Sequence, residues 1–568
     1  MPNVPAQNTD SAAPRIRAAA LLKRIAGAVR ARHLPWLALL FVGALYARLA
    51  LDSGVTWDEG VQREYGDHIL AWYRTGFRDT TATKFFNLYL YGGLFEVTAQ
   101  LIVHQLPRAW GEFEIRHVLN AVSAALGVAA VYLSAKELAG RRAGFVAAAL
   151  LALTPTWIGH GFFNSKDSPF GTAAAFVLYT TIRIAMSGGL LGWRNAGIAG
   201  CALGAALAIR PGGMFLAFFP VLAAGIQWLR LARADGSTRQ GVLRAALQTA
   251  GRLLCAFAIA WAIMIATWPW AQEQPFVRPF IATREASHFI WGGSVIFRGR
   301  SIPCDQLPWT YVPVWFAVTM PEMYYVAALC ALAIAAARRP GAWWRELQRN
   351  WLNPRMLGFG FVVLFVLVPL VGIWVQRPVM YNGHRHTLFL FPPLALGAGL
   401  IIHRALSTPE LPRLLRYAFA SLLLLATAAT VKTMVEIHPY EYAFFNRLAG
   451  GLRGGAKHYQ ADYWGEAYRE GVGWVVDIAP LVPGKKPVTI DACHGRPQLQ
   501  YYSALWPEAK GRVALSDKGE TARYYIAFPT GECDRRGELV HVVERQGVPL
   551  MHVYERSVPK RKKKGKKR

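Results

Sequence analysis

The sequence predicts a polytopic α-helical membrane protein of about eleven spans, followed by a small C-terminal α/β soluble domain. Three observations carry that reading. Of 568 residues, 54% are hydrophobic and only 17% charged, and the apolar residues fall in long blocks instead of at an amphipathic period. Arg and Lys concentrate in the short segments between those blocks, as cytoplasmic loops require. Beyond the last block the pattern changes to short alternating strands punctuated by Gly and Pro.

The apolar blocks lie near 34–51, 116–135, 143–159, 169–186, 195–209, 213–229, 253–271, 312–337, 357–375, 386–403 and 417–434. A helix needs roughly 20 residues to cross the hydrocarbon, so several of these are short. The clearest is 357-LGFGFVVLFVLVPLVGIWV-375, which carries no charge. In the 417–434 block Lys432 has to snorkel to the interface. A cleaved signal peptide would account for one apolar run at most, so the first span is expected to be retained.

Basic residues before position 34, at 141–142, and in 228–244, 338–355 and 404–416 place those segments on the cytoplasmic side. Segments 52–115, 160–168, 272–311, 376–385 and 435–568 then share the opposite face of a cell inner membrane. The chain divides into a cytoplasmic segment 1–33, a membrane domain 34–434 with a first outer loop 52–115, a periplasmic α/β domain 435–557, and a basic disordered tail 558–568. The formal net charge of +29 suits a membrane surface better than nucleic acid, because no basic helix or metal-finger spacing accompanies it.

Cys201, Cys255 and Cys330 read as small residues of apolar blocks. Cys304, Cys493 and Cys533 fall on the outer face, which is compatible with a 493–533 disulfide without requiring one. No cysteine spacing suggests zinc.

Unusual polar chemistry collects in the outer segments. Asp58 and Glu59 sit in 56-TWDEGVQREYGDH-68, just where the first block ends. The aromatic stretch 84-KFFNLYLYGGLFE-96 suits an interfacial helix lying on the membrane. Asn164, Lys166 and Asp167 crowd into 160-HGFFNSKDSPFG-171, and 376-QRPVMYNGHRHTLF-389 holds Arg377, Tyr381, His384, Arg385 and His386. Interface anchoring explains Lys, Arg, Trp and Tyr at span ends but does not call for acidic pairs. Three mixed-sign clusters on one face can converge, holding an anionic head group with Lys and Arg while a carboxylate does acid–base work.

The Asp-Glu pair, the Lys-bearing 84–96 segment, 164-NSKDSPF-170, 381-YNGHRHTLFLFP-392, and 438-HPYEYAFFN-446 followed by 460-QADYWGEAY-468 together resemble bacterial GT-C glycosyltransferases. That membrane superfamily includes protein O-mannosyltransferases and the aminoarabinose transferase of lipid A, and the resemblance runs from about 34 to 470. It implies an inverting transfer of a sugar from a polyprenyl-phosphate carrier to an acceptor at the outer membrane face. It further implies that Asp58 is the general base, with Glu59 binding a sugar hydroxyl or supporting the loop. Lys84, Lys166, Arg377, His384 and Arg385 are the implied phosphate contacts. Asn164 and Asp167 belong to the second-loop motif, where Asp167 is either a second acidic ligand or the partner that orients Lys166. Asp462, Tyr463 and Trp464 would form one wall of an acceptor site. No organic cofactor is implied, and a divalent metal stays open. Arg63 and Arg210 read as ordinary structural residues.

Two departures leave the acceptor open, whether glycan, lipid or protein. Lys84 is followed by Phe-Phe instead of the prolines common in the aminoarabinose branch, and the chain lacks the long repeat-bearing insert of eukaryotic protein mannosyltransferases. The alternative functions are a polytopic transporter and a lipid-binding membrane protein without transferase activity. A transporter calls for internal repeats and midplane polar residues, whereas the polar clusters here lie at span ends.

Overall fold

All eleven apolar blocks are helical in the computed structural model. It describes residues 33–556 apart from 108–109, 188, 235, 237, 288–290, 339–340, 342–344, 346–347, 349–351, 480–485, 507, 517–521, 530–532 and 534–536. The basic N-terminal segment up to Arg32 and the tail 558–568 lie outside the described residues. Seven helices are long and apolar enough to cross a membrane: Glu112–Ala139, Asp167–Met186, Pro211–Ala232, Arg239–Ala266, Pro354–Gln376, Arg385–Ser407 and Arg413–Ile437. Two bent pairs bring the number to as many as nine among the described residues. Leu34–Ala50 and Trp193–Leu207, with 17 and 15 residues, are shorter.

The bent pairs correct two expected single spans. The 143–159 block is Arg141–Ala152 and Pro155–Phe163, turned by 65°, and the 312–337 block is Tyr311–Thr319 and Glu322–Ala337, turned by 102°. Proline explains both, since it cannot donate to the preceding turn but is at home where a helix begins: Pro155 opens one arm and Pro321 precedes the other. The freed backbone is satisfied locally. Tyr46 donates to Ala152 O at 2.8 Å, and the Thr154 hydroxyl donates to Leu150 O at 2.7 Å. Thr154 also meets the Tyr324 hydroxyl at 2.7 Å, so the two breaks face each other.

Small residues let the helices approach closely. A Cβ at Gly399 would lie 2.5 Å from the Ala147 backbone, and one at Gly204 would lie 2.9 Å from that of Ala260. The last long helix, Arg413–Ile437, instead turns Leu424, Leu425 and Val435 outward.

The expected interfacial helix over 84–96 is not formed. A 3-10 turn spans Leu88–Leu90, and an α-helix begins only at Leu94. The break falls at Gly92–Gly93. A Cβ at Gly92 would lie 2.2 Å from the Ala208 carbonyl oxygen, and one at Gly93 2.2 Å from Ile69 Cδ1. Close docking of this segment onto its neighbours therefore replaces a continuous helix. The amphipathic helix of the loop is Glu59–Arg74.

The C-terminal region contains a five-stranded sheet. Its strands are β3 Val488–Ala492, β4 Val513–Leu515, β5 Tyr524–Ala527, β6 Glu538–Arg545 and β7 Val548–Glu555, in the order β4-β3-β5-β7-β6. β3 runs parallel to β4 and β5, while β7 is antiparallel to β5 and β6. β6 and β7 form a hairpin turned at Gln546–Gly547, both at positive φ. Cys493 and Cys533 form a disulfide. A separate hairpin, β1 Ser294–Phe297 with β2 Arg300–Pro303, lies in the 272–311 loop. Of the remaining cysteines, Cys330 is buried and Cys201 faces outward.

This region is fastened to the 52–115 loop. Trp57 N–H donates to Trp464 O at 3.2 Å, Val55 N–H to the Tyr502 hydroxyl at 2.7 Å, and Arg469 Nη1 to the Leu51 and Ser53 carbonyls at 2.6 Å each. Glu466, buried with its carboxyl pushed well above the usual range by desolvation, takes the Ser53 hydroxyl and the Gly54 N–H. There is no room between them, since a Cβ at Gly54 would lie 2.2 Å from the Glu466 carbonyl oxygen. Gly54→Ala is therefore expected to destabilise the protein by about 1–3 kcal/mol in a thermal melt. Gly60→Ala, where a Cβ meets nothing within 4 Å, should leave the melt unchanged or raise it. Equal behaviour of the two variants would rule out the close contact.

Candidate active site

Asp58 stands at the N-terminus of Glu59–Arg74, Asp167 opens Asp167–Met186, and Arg385 opens the 3-10 turn Arg385–Leu390. These residues meet in space. Arg385 Nε donates to Asp167 Oδ2 at 3.1 Å, and its Nη2 donates to Asp58 Oδ2 at 2.5 Å. Asp167 is also paired with Arg210, so carboxylates and guanidiniums alternate from Asp58 to Arg210. The Arg385 and Asp167 side chains are 6% and 3% exposed, whereas Asp58 is 40% exposed and borders a narrow cleft. Two buried charges need well-aligned partners to offset desolvation, and a guanidinium fork supplies two. Rings close over it: Arg385 Cζ lies 4.6 Å from the Trp464 ring centre and 5.3 Å from that of Tyr381.

Asn164 shapes the second-loop motif. Its Nδ2 donates to Asp167 Oδ2 at 3.0 Å, and its Oδ1 accepts the Asp167 N–H at 2.9 Å. Lys166, next along the cleft wall, has its Nζ 4.1 Å from the Tyr91 ring centre. In the amide orientation that satisfies both neighbours, Gln62 accepts from Lys166 Nζ at 2.9 Å and donates to Glu96 at 3.2 Å. Burial, with Arg385 and Arg210 adding repulsion, lowers the Lys166 ammonium from 10.5 to about 8, against the opposing pull of Asp58 and Asp167.

Glu59 also lines the cleft, but its carboxylate is committed to its own loop. It is buried, with Oε2 accepting the Thr56 N–H and hydroxyl at 2.7 and 2.9 Å and Oε1 bound to His117 Nε2 at 2.7 Å. Both oxygens are engaged in fixing the loop that presents Asp58.

Several other expected residues are not brought to the cleft. Lys84 is exposed on the turn after Thr81–Thr83, where its charge acts on Asp79, and among the described residues no hydrogen bond or ion pair ties it to Asp58 or Arg385. Arg377 is exposed in a left-handed conformation that ends Pro354–Gln376. His384 is a core residue, its Nε2 2.6 Å from the Thr319 hydroxyl and its ring packed against Phe316 and Phe391. Burial drives its pKa down to about 3, so it is neutral and no phosphate cation.

The expected acceptor wall divides similarly. Asp462 is buried and accepts the Tyr442 hydroxyl at 2.5 Å together with the N–H groups of Trp464, Gly465, Glu466 and Ala467. It thereby shapes the 462–467 turn. Tyr463 is buried with its hydroxyl 3.3 Å from His160 Nε2, and only Trp464 lines the cleft.

Sequence reasoning missed a supporting layer. Glu96 and Arg116 form a buried ion pair, and Glu96 Oε1 accepts the Ser165 hydroxyl at 2.6 Å. A single acid in the apolar run 94-LFEVTAQLIV-103 was the available signal, because isolated charges in such runs are costly and rarely idle. Arg210, read as structural, and His386, T-shaped against Tyr381 at 4.7 Å, both adjoin the charged chain. Among the described residues the one group with metal-ligating spacing is Cys493, His494 and Cys533, two of which are joined in the disulfide.

Residues 101–238 match the family model for dolichyl-phosphate-mannose-protein mannosyltransferase. That stretch is about a quarter of the chain, contains Asn164, Lys166, Asp167 and Arg210, and agrees with the resemblance read from the motifs. No curated protein matches the chain. Solved structures similar to it include ArnT from Cupriavidus metallidurans in the apo state, with 14% identity, a TM-score of 0.47, and coverage of 92% of this chain and 98% of that one. The same protein bound to undecaprenyl phosphate is 15% identical, with the same TM-score and coverage. The archaeal oligosaccharyltransferase AglB from Archaeoglobus fulgidus, in complex with an inhibitory peptide and a dolichol-phosphate, is 13% identical with a TM-score of 0.43, covering 86% of this chain and 69% of that one.

Two predictions follow from the geometry. A phosphate monoester held at Lys166 needs the ammonium form, and the ester's own second ionisation lies near 6. Its affinity should therefore fall as pH rises through about 8, by up to about tenfold per unit, while Lys166→Arg stays flat to pH 9 by calorimetric titration. An identical pH profile in both proteins would remove Lys166 from the anion site. Asp462→Asn replaces one oxygen, turned toward N–H donors, with a donor of its own. It should cost about 1–3 kcal/mol in a thermal melt and leave anion affinity per folded molecule unchanged; lost affinity at full stability would restore Asp462 to the binding wall.

Proposed function

We propose that this protein is an inverting membrane glycosyltransferase, moving a sugar from a polyprenyl-phosphate carrier to an acceptor at the outer, periplasmic face of the cell inner membrane. The observation that carries this reading is the cleft itself. A half-exposed carboxylate, Asp58, stands at its edge beside Lys166 and Arg385, while the other acid of the lining, Glu59, is committed to Thr56 and His117, and Asp167 behind it is paired with Arg385 and Arg210. Such a site offers two cations to an anion and an acid group placed where a nucleophile would arrive. The motif match over 101–238, which includes the Asn164–Asp167 loop, supports the same class of reaction.

In this reading the donor phosphate lies between Lys166 and Arg385, and the acceptor enters beside Asp58. Asp58 takes the acceptor hydroxyl proton as the acceptor oxygen bonds to the anomeric carbon. The carbon–oxygen bond to phosphate breaks with its electron pair passing to the phosphate, whose charge the two cations stabilise. Attack opposite the leaving phosphate inverts the anomeric centre. Asp167 orients Arg385 and Arg210, Glu59 braces the loop, and Trp464 forms one side of the cleft. Lys84, Arg377 and His384 have no part in it. Glycan, lipid and protein acceptors all remain compatible with the fold.

The two broken helix pairs are a feature shared with transporters. Here, however, Thr154 and Tyr324 at the breaks satisfy one another and a nearby carbonyl, and the charged groups gather at one end of the helices. That favours the transferase.

The test uses folded, detergent-purified protein and a radiolabelled polyprenyl-phosphate sugar, with release of the free carrier phosphate as readout. Asp58→Asn should lower release by roughly 10²–10⁴ with carrier binding intact. Glu59→Gln should retain turnover per folded molecule and lose thermal stability. Equal activity of both variants and the native protein would refute the assignment of Asp58.

A further inference from the structure

A second cleft, of about 300 Å³, shares no lining residue with the one at Asp58. It lies where the last long helix ends, against the start of Glu322–Ala337 and the loop after Ala443. Glu322, Lys432, Glu436 and Arg447 line it, with Phe444 and Phe445 as its apolar part. Two cations balance two carboxylates, so the cleft favours neither an anion nor a cation overall.

These charges are only loosely committed. Lys432 Nζ and Glu436 lie 3.6 Å apart with side chains 72% and 41% exposed. Glu436 Oε2 accepts the Gln546 amide at 2.7 Å, and Glu322 Oε1 accepts the Arg447 backbone N–H at 2.7 Å. Among the described residues the Arg447 guanidinium makes no hydrogen bond or ion pair. Exposed pairs of this kind are weak and exchange readily for a better-matched ligand.

The setting indicates what that ligand is. Lys432 and Glu436 occupy the last two turns of Arg413–Ile437, a helix long and apolar enough to span a membrane but with only 17% of its apolar window buried. Val435 and Leu448, beside the lining residues Glu436 and Arg447, are each 74% exposed. A ligand seated here would place its polar end among mixed charges and its apolar end along bare helix at the bilayer boundary.

We infer that this cleft binds a zwitterionic phospholipid headgroup, its phosphodiester held by Lys432 and Arg447 and its primary ammonium by Glu322 and Glu436. Overall neutrality argues against a purely anionic lipid. The pair of carboxylates calls for N–H donors, which a quaternary ammonium lacks.

The test is native mass spectrometry of the full-length protein in detergent, titrated with phosphatidylethanolamine, phosphatidylcholine or phosphatidylglycerol of equal acyl chains. The ethanolamine lipid should be retained about fivefold over each of the others, a modest preference because exposed charge pairs are individually weak. In a Glu322→Gln, Glu436→Gln double variant the preference over phosphatidylcholine should vanish, and Lys432→Ala should weaken both lipids. Equal retention of the three by the native protein, or preferential retention of phosphatidylglycerol, overturns the inference without any variant having to fold. Persistence of the ethanolamine preference in the double variant overturns the role of the carboxylates. Sugar transfer is not read in this experiment, so its outcome is independent of the transferase proposal.

Discussion

The structure depends on one guanidinium. Arg385 joins Asp58, just before Glu59–Arg74, to Asp167, at the start of Asp167–Met186, residues that stand 327 and 218 positions away from it in the chain. A buried carboxylate such as Asp167 is tolerable only when its charge is met at short range, so the packing of the helices and the electrostatics of the cleft are not separable. The same pairing leaves Asp58 partly exposed. An acid held rigidly at one oxygen and open at its edge is positioned without being used up.

The loop bearing Asp58 is held from the opposite side by the C-terminal region. Arg469 takes two of its carbonyls, Tyr502 and Glu466 take its N–H groups, and Trp57 packs against Tyr468 and Phe528. The C-terminal region thereby becomes part of the site without contributing one of its charges, since it fixes where Asp58 can be. Behind the second loop, the Glu96–Arg116 pair does the same for Ser165 and hence for Lys166 and Asp167. Fixed dipoles and charges of this kind stabilise a reacting centre because they need not reorganise when charge develops.

Much of this was legible before any coordinates. Long apolar blocks have few alternatives to helix, so all eleven appear, and their breaks follow from Pro155 and Pro321. The convergence of the 56–59, 164–167 and 381–386 clusters was an expectation because interface anchoring accounts for cations and aromatics at span ends but does not call for acids among them. What could not be read was side-chain direction within a cluster. His384 and Arg385 are neighbours, yet one turns into a core of Trp315, Phe316 and Phe391 and the other into the cleft, a difference set by the 3-10 turn that begins between them. Asp462 looked like a binding residue because it stands beside two aromatics, but four backbone N–H groups and Tyr442 already fill its oxygens. Lys84 was placed at the phosphate by the resemblance alone, and the chain instead leaves it exposed on the turn after Thr81–Thr83, near Asp79.

The most direct measurement is a double-mutant cycle on Arg385 and Asp167, read as thermal stability in detergent. If the guanidinium is what makes the buried carboxylate tolerable, Arg385→Gln and Asp167→Asn should each destabilise the protein. Combined, they should cost less than their sum by on the order of 1–3 kcal/mol. Additivity within about 0.5 kcal/mol would mean that the two residues do not share the contact on which this account of the site is built.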